Sequence, residues 1–259
     1  MRRRPHLALT SAALLLCAAC SGTKTDRAAE SPAPDYGPTV RTAVAAMGKS
    51  TAAFDEKVEI AGDGQNFGIG VKGRFDFAGD RGTLAVDFPE GGISHVDEVF
   101  ADSKVYVRGA AGLDGEWGVI GRDKAEAHYL LRAPLNDPEH VLRQLGTMHK
   151  ISKEETEQVN GTAAVRYHGL LGADTLTLRG SAKLREQAGQ LRDAIGEIPM
   201  YADTWVDGRG RLVRARLRCD LGPGHVAVTV DFADHGKAVK VSVPEEAIPV
   251  NSASGVLTG

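Results

Sequence analysis

Cysteine 20 is the residue whose type and setting most clearly suggest a chemistry. Three arginines at positions 2–4 form a basic start, and an apolar segment follows over residues 7–19. At about 13 residues this segment is too short to cross a bilayer as a helix, and with its basic start it is typical of an export signal. Ala18 and Ala19 supply the small side chains that a signal peptidase needs beside its cleavage site. Cleavage there would make Cys20 the first residue of the mature chain.

The run Leu16-Cys17-Ala18-Ala19-Cys20 resembles a bacterial lipobox. The resemblance implies that residues 1–19 are a lipoprotein signal peptide and that the Cys20 thiol receives a thioether-linked diacylglyceryl group. Its acyl chains would anchor the protein at the outer face of the cytoplasmic membrane. The run departs from the usual pattern at Cys17, where an aliphatic residue is common. The alternative interpretation is an ordinary secretory signal with an incidental cysteine.

The charge and the cysteine content restrict the class of protein. Removal of residues 1–19, with three arginines and no acid, takes the formal net charge from −3 to −6. A mildly acidic surface argues against nucleic acid as a partner and against electrostatic docking onto anionic lipid. Beside Cys20, the mature chain has only Cys219, whose alternation with apolar neighbours favours a small buried side chain over a nucleophile.

Motifs that carry catalysis are largely missing from the sequence. The segment Gly68-Ile69-Gly70-Val71-Lys72-Gly73 matches G-x-G-x-x-G, but a dinucleotide site needs that motif between a strand and a helix, and here it lies inside a predicted strand. The eight histidines form no H-E-x-x-H or other tight ligand cluster, and no G-x-S-x-G or P-loop occurs. We therefore predict no catalytic residue, no metal and no cofactor, although a triad assembled from distant residues remains compatible with the sequence.

A polar segment separates the signal from the folded part. Residues 21–38 contain three prolines and no aliphatic side chain larger than alanine, which predicts a disordered tether over 20–38. The folded domain is predicted over 39–250 and a flexible tail over 251–259. Helices are predicted over 39–48, from Asp137-Pro138-Glu139 onward, and over 181–195, where the apolar spacing is most regular.

Strands account for most of the predicted domain. Alternating apolar residues separated by Gly, Asp and Asn turns predict strands over 67–77, 82–88, 95–100, 105–108, 115–121, 200–206, 211–221 and 225–232. A hairpin with Asn160-Gly161 as its turn is predicted over 159–171, and Val239, Val241 and Val243 predict a closing strand. We expect an α+β fold with a mainly antiparallel sheet. A sheet of roughly ten or more strands should curl and needs a cover for its apolar face.

This organisation resembles the LolA-like lipoproteins, and among them the LppX/LprG-type actinobacterial group. The lipobox, the tether, the first helix and the meanders carry the resemblance, together with the segments 157–167, 201–210 and 231–236, the last followed by alternating valines. It covers about residues 39–250, and its motifs are structural. It implies a strongly curved, half-open β-barrel with helices covering the concave face. Members of the family bind or carry lipids and lipoproteins in an apolar cavity between the two.

A lipid or acylated molecule is the ligand that the resemblance implies. Aromatic residues make up only 5% of the chain, so such a cavity would be aliphatic and would suit acyl chains. Helix 181–195 is the candidate lid. The candidate lining residues are Ile69, Val71, Phe75, Phe77, Leu84, Val86, Leu184, Leu191, Val213, Leu217, Val228 and Val230. The same residues would equally line a fully packed core without a ligand.

Two other classes of function stay open. The same fold could serve as a sensor or scaffold that binds a protein partner in the cell envelope, without lipid transport. An enzyme would need polar groups that converge in a cleft. The arginines between positions 209 and 218 are either a solvated outer face paired with acids or a patch for phosphate groups or an acidic partner.

Overall fold

The computed structural model describes residues 34–62, 64–89, 95–110, 112–125, 138–172, 175, 186, 189–190, 193, 200–221 and 224–250. The predicted signal peptide, the lipidation site Cys20 and the tail 251–259 lie outside the described residues. Leu184 and Leu191 of the predicted lid also lie outside them. Glu186, Gly189, Gln190 and Asp193 are helical, as the prediction for 181–195 requires.

Helix α1, Gly37–Met47, is the first element of the folded part. Pro38 lies in its first turn, where a missing N–H costs no hydrogen bond, and Asp35 Oδ1 accepts a hydrogen bond from Gly37 N at 2.9 Å. The helix therefore begins before the predicted start at residue 39. Its buried residues Val40, Ala43, Val44 and Met47 form one stripe that faces the sheet.

Within the residues that the structure describes, twelve strands and two further short helices with defined bounds follow. The strands are β1 Thr51–Gly62, β2 Gln65–Asp76, β3 Arg81–Asp87, β4 His95–Ala101, β5 Lys104–Arg108, β6 Gly118–Gly121, β7 His149–Val159, β8 Thr162–Leu170, β9 Met200–Asp207, β10 Leu212–Leu221, β11 Gly224–Ala233 and β12 Ile248–Pro249. Helix α2, Arg122–Ala125, follows β6, and helix α3, Pro138–Leu145, precedes β7.

All twelve strands belong to one sheet, in the order β12-β6-β5-β4-β3-β2-β1-β11-β10-β9-β8-β7. Each pair is antiparallel except β12 with β6, which is parallel. The pairing of β1 with β11 joins one meander, β1 to β6, to a second one, β7 to β11. Strands β7 and β12 lie at the two edges, so the curved sheet is not closed. The predicted α+β class with a mainly antiparallel sheet is confirmed.

Local turn chemistry sets the register of the hairpins. Asp102 and Ser103 have φ of 51° and 57°, and Asn160 and Gly161 have φ of 48° and 80°. Two consecutive residues with positive φ are the signature of the type I′ turn, whose twist matches that of paired strands. The hairpin at Asn160-Gly161 was predicted from these two residues, and the turn at Asp102 and Ser103 joins the strands that were predicted over 95–100 and 105–108.

The strand predicted over Val239, Val241 and Val243 is wrong. In the structure this segment forms no strand, and Val243 is 40% exposed. The physical reason is that both sides of β11 are already occupied, by β1 and β10, so a following strand finds no free edge there. The chain instead reaches β6 at the far edge, where Ile248 N donates to Trp117 O at 2.7 Å.

Strand β7 was not predicted over most of its length. Its sequence is dominated by charged residues and reads as solvated, and in the structure most of its side chains are indeed exposed. It forms a strand because β8 offers an edge, and its register shifts at two places, between His149 and Ser152 and between Lys153 and Thr156. Such irregularities, with lysines along the strand, protect an edge against pairing with another chain.

Candidate functional site

The predicted lining residues that the structure describes lie mostly on one face of the sheet, which we call the inner face. Alternation along each strand places them there, since successive side chains point to opposite faces. A single cluster of buried apolar side chains contains Val71, Phe75, Phe77, Leu84, Val86, Leu217, Val228 and Val230. Ile69 is half-buried and packs against the same cluster. The structure therefore brings these nine predicted residues together.

Val213 does not join the inner face. It belongs to a second cluster with Val159, Ala164 and Trp205. The register between β10 and β9 shifts between Leu212 and Arg214, and a bulge of this kind turns the following side chain to the other face. Leu212 joins the main cluster instead. The assignment of Val213 to the cavity wall by simple alternation was wrong.

Helices α1 and α3 pack against the inner face. Val40 and Met47 of α1, and Val141, Leu142 and Leu145 of α3, belong to the same cluster as the sheet residues. Helix α1 contacts α3 and strands β7, β9 and β10. The helices thus bury their apolar stripes against the sheet.

Several apolar side chains at one end of the inner face are only partly buried. Ile60 of β1, Ile69 of β2 and Phe88, just after β3, pack against the cluster but stay half-buried. Phe67, the cross-strand partner of Ile60, is also half-buried. The strand ends at the turn after Gly62 therefore present an apolar margin that water reaches in part.

Glu56 is a carboxylate on the inner face that was not predicted from the sequence. Its exposure is 0%, and it lies on β1 between the buried side chains of Phe54 and Val58. Its cross-strand neighbours are Val71 and Val230. The position of Glu56 could have been predicted from the sequence. Alternate residues of a strand point to the same face, so Glu56 lies on the face of Phe54 and Val58.

Glu98 is in a similar position on β4. It is 1% exposed, between Val96 and Phe100, and its neighbours across the sheet are Leu84 and Val107. A buried carboxyl group loses its hydration, so polar contacts must offset this cost.

Arg122 adds a buried cation at the other end of this face. Its side chain is 7% exposed, and Nη2 donates to Glu139 at 3.0 Å and to Asp80. Its guanidinium carbon lies 4.6 Å from the ring centroid of Phe100 and 5.7 Å from that of Phe75. A guanidinium over an aromatic face is attracted by the ring quadrupole. Arg122 thereby contacts the β2–β3 turn, α3 and the two rings at once. No pattern in the neighbouring sequence predicts this role.

Helix α3 also turns polar side chains inward. His140 is 1% exposed and Gln144 is 4% exposed, and Gln144 Nε2 donates to Thr175 O at 3.2 Å. Among the residues that the structure describes, no three His, Cys, Asp or Glu side chains are grouped as a metal ion would require. No helix within the described ranges is long and apolar enough to cross a membrane.

Cys219 is buried on the inner face, as predicted for a small apolar side chain. It belongs to the main cluster, between its cross-strand partners Met200 and Val226. Burial, and after it the charge of Asp220, raises the pKa of the thiol to about 11. The thiol is therefore protonated at neutral pH and a poor nucleophile.

The G-x-G-x-x-G segment lies wholly inside β2 and leads to no helix, so it does not form a dinucleotide site. A glycine is required at position 73 because the backbone of β3 lies very close to its Cα. A Cβ at this position would lie 2.2 Å from the carbonyl oxygen of Thr83 on β3. At Gly70, by contrast, a Cβ would meet no atom within 4 Å.

The arginines between 209 and 218 are largely paired with acids. Arg214 Nη2 donates to Asp231 Oδ2 at 2.8 Å, and Arg211 Nη2 lies 2.7 Å from Asp207 Oδ2. Arg218 contacts Asp220 on its own strand. These pairs favour the interpretation as a solvated outer face over a patch for phosphate groups.

Comparison with known proteins gives one sequence relative and several structures. No family model matches the chain. A Streptomyces griseus protein of 31.2 kDa, described as uncharacterized and encoded in the rplA-rplJ intergenic region, is 26% identical over 110 residues. The match covers 41% of this chain and 36% of that protein, so the two are alike over little more than a third of the relative's length.

The lipoprotein LppX of Mycobacterium tuberculosis is similar in structure, with 15% identity, a TM-score of 0.49, and coverage of 80% of this chain and 97% of LppX. LprF of Mycobacterium bovis gives 14% identity, a TM-score of 0.49, and coverage of 83% and 99%. A LolA superfamily protein of Nitrosomonas europaea gives 8% identity, a TM-score of 0.31, and coverage of 82% and 96%.

Proposed function

We propose that this chain is a membrane-anchored, extracytoplasmic lipoprotein that binds or carries a lipid or acylated molecule between its sheet and its helices. In this proposal the curved sheet is a half-open barrel, and α1 and α3 cover its concave inner face. The observation that carries the proposal is the single apolar cluster shared by sheet and helices, whose margin at Ile60, Ile69 and Phe88 is only half-buried. A site with an apolar wall and an accessible margin can admit a chain from outside.

The energetics of such a site favour an acyl chain. Each methylene that leaves water contributes about 0.8 kcal/mol, so a chain of some sixteen carbons gains on the order of 10 kcal/mol before the costs of binding. The walls are mostly valine and leucine, which pack against a flexible chain without a fixed stacking geometry. This lining supports an acyl chain as the part of the ligand that binds.

The anchor completes the proposal. Acyl chains on Cys20 would hold the protein at the outer face of the cytoplasmic membrane. The tether would then place α1 within roughly 2 nm of the bilayer surface. That distance lets the apolar margin of the domain reach the membrane that supplies the lipid.

The first experiment is mass spectrometry under native conditions of the protein isolated from its own cells in mild detergent. We expect a stoichiometric adduct whose mass corresponds to a lipid or acylated molecule, besides the acyl groups on Cys20. Repeated isolation of protein without such an adduct would count against the proposal.

Cys219 provides a second, independent readout, because its thiol lies on the inner face. Alkylation of Cys219 should be slow in the folded protein and slower still when an added lipid fills the site. The matched control is Lys57→Cys in a Cys219→Ala background, since Lys57 is exposed on β1. That thiol should react quickly and be unaffected by lipid. Equal effects of lipid on both thiols would show that the lipid acts elsewhere.

A protein partner is the second candidate function, and one observation favours it. A cavity of about 300 Å³ is lined by Val159 and Val213 of the second cluster and by Arg211, His235 and Lys237. Apolar and charged side chains line it together, and this combination suits a peptide segment. If no lipid co-purifies and a cross-linker attached beside this cavity captures one defined envelope protein, the scaffold is the better account.

A further inference from the structure

The cavity of about 300 Å³ lies at the end of the sheet where β7 and β11 end and β10 begins. Each of these strands contributes one apolar side chain to it: Val159, Val213 and Phe232, which we call the apolar lining. Their exposures are 2%, 5% and 4%. The volume is at the lower end of the range for ligand pockets, about 300–1,000 Å³, so the cavity suits one end group of a larger molecule.

Hydrogen bonds within the chain hold the polar side of this cavity in place. His235 Nε2 donates to Leu212 O at 2.8 Å and so attaches the turn after β11 to β10. Because a carbonyl oxygen only accepts, a neutral His235 carries its proton on Nε2, and its Nδ1 is an acceptor. Gly236 N donates to Thr51 O at 2.9 Å, which attaches the same turn to β1. A site that is already ordered costs less free energy to occupy.

The ion pairs at the cavity leave one positive charge in excess. Arg211 Nη2 lies 2.7 Å from Asp207 Oδ2. Asp234 is paired with two cations, Arg74 and Lys237, and the second lies 2.6 Å from its Oδ1. These three cations and two carboxylates stand in contrast to the net negative charge of the whole chain. A ligand group with one negative charge is therefore favoured at this place.

A carboxylate joined to a short aliphatic group matches both sides of the cavity. The carboxyl-terminal residue of a peptide has this chemistry, because its carboxylate and its side chain project from the same carbon atom. Asn160 and Thr162 add an amide and a hydroxyl group to the lining. These groups can form hydrogen bonds with the backbone of a peptide, which a simple aliphatic acid does not have. The lining thus favours a peptide terminus over a free acid.

We propose that this cavity binds the carboxyl-terminal residue of a partner protein, with an aliphatic side chain against the apolar lining and the carboxylate paired with Arg211 and Lys237. The inference goes beyond the binding of lipid and does not depend on it. It rests on the second candidate function, a protein partner, and specifies which part of the partner is bound.

The experiment compares two fluorescein-labelled peptides, Gly-Ser-Gly-Ala-Leu with a free carboxylate and the same peptide as its carboxamide. Fluorescence polarisation measures the binding of each to the full mature chain in mild detergent. The carboxamide lacks the charge that pairs with the two cations, so we expect it to bind at least about tenfold more weakly. A third peptide that ends in Ser in place of Leu should also bind more weakly, because it loses the apolar contact.

Variants with matched controls locate the binding. Ala233 is exposed and lines the cavity, so Ala233→Leu should fold, fill the cavity and lose the peptide. Ala163→Leu is the control, because Ala163 is also exposed, on β8, and is not among the lining residues. Lys237→Gln should reduce the preference for the carboxylate over the carboxamide. Lys240→Gln, at an exposed position outside the lining, should keep that preference.

Equal binding of carboxylate and carboxamide, or unchanged binding to Ala233→Leu, would overturn the inference, as would no binding of any peptide. Isocaproate, which is leucine without its amino group, tests the free acid, and competition as strong as that of the peptide would overturn the peptide as ligand. The wild-type comparison needs no variant. These outcomes are distinct from failure of the lipid site, which is measured at Cys219, and of the partner function, which is measured by cross-linking.

Discussion

Gly73→Ala is the substitution whose effect follows most directly from the structure. The new Cβ would lie 2.2 Å from Thr83 O, 2.9 Å from Leu84 Cδ2 and 3.0 Å from the tip of the Phe54 ring. A side chain can turn away, but the Thr83 oxygen is backbone and is held in the β2–β3 ladder. Strand β2 or β3 must therefore shift by about 1 Å, and overpacking of this kind costs typically 1–3 kcal/mol.

The loss of backbone entropy on folding acts in the opposite direction and determines the result expected for the control variant, Gly70→Ala. Alanine loses less conformational entropy on folding than glycine, which is worth roughly 0.5–1 kcal/mol at a position without strain. Gly70 offers such a position on the same strand, because a Cβ there meets nothing within 4 Å and its φ is not positive. We expect Gly70→Ala to be neutral or stabilising, and Gly73→Ala to lower the free energy of unfolding by about 1–2 kcal/mol net.

Urea unfolding followed by circular dichroism measures the free energy of unfolding of both variants. Unchanged m-values would show that both variants expose the same amount of surface on unfolding as the wild-type chain. In a domain of this size the difference between them corresponds to several degrees in Tm, at roughly 2–4 °C per kcal/mol. If Gly73→Ala were as stable as Gly70→Ala, close backbone approach would not be the reason for the glycine, and the motif would need another account.

Three further outcomes are expected. The pKa of His95 is raised, first by its hydrogen bond to Asp87 at 2.6 Å, so the small stabilising effect of this histidine is complete below about pH 6.5 and is lost as pH rises through the raised pKa. His95→Asn should therefore lower the free energy of unfolding at pH 5.5 and leave it unchanged at pH 9. An equal loss of stability at both pH values would contradict this. Leu145→Ala should cost about 2–5 kcal/mol in urea unfolding, because Leu145 is fully buried between α3 and the sheet. Cys20→Ser should move the protein from the membrane fraction and remove the acyl mass from intact-protein spectra; a membrane-bound Cys20→Ser chain would contradict the anchor.

The hairpins show which parts of the fold could be predicted. Asp102-Ser103 and Asn160-Gly161 are local signals, since the positive φ that these residues tolerate is itself what reverses the chain. The alternation around them then fixes one apolar face. For Phe75, Leu84 and Val230, the residue types and their spacing sufficed, because a period of two needs no knowledge of the neighbouring strand.

The errors arise where a distant element decides. Val213 does not point to the inner face, because a bulge interrupts the pairing of β10 with β9. No residue near Val213 in the sequence predicts this bulge. Residues 239–243 do not pair because β11 already has two neighbours. Strand β7, in contrast, exists because β8 supplies an edge for a sequence that reads as solvated. In each case the outcome depends on which strand edges are free, and this is a property of the whole sheet.

The sequence by itself determined the mainly antiparallel sheet, the first helix and the apolar residues that face inward, because turn chemistry and periodicity act within a few residues. It also carries the segment that we predict to be an export signal and the cysteine on which the proposed anchor depends. Only the tertiary structure decided that Glu56 and Glu98 are buried among those apolar residues and that Arg122 meets Asp80, Glu139 and the two phenylalanine rings. These contacts join residues far apart in the chain, and the desolvation that gives them their chemical meaning exists only when the sheet and the helices close around them.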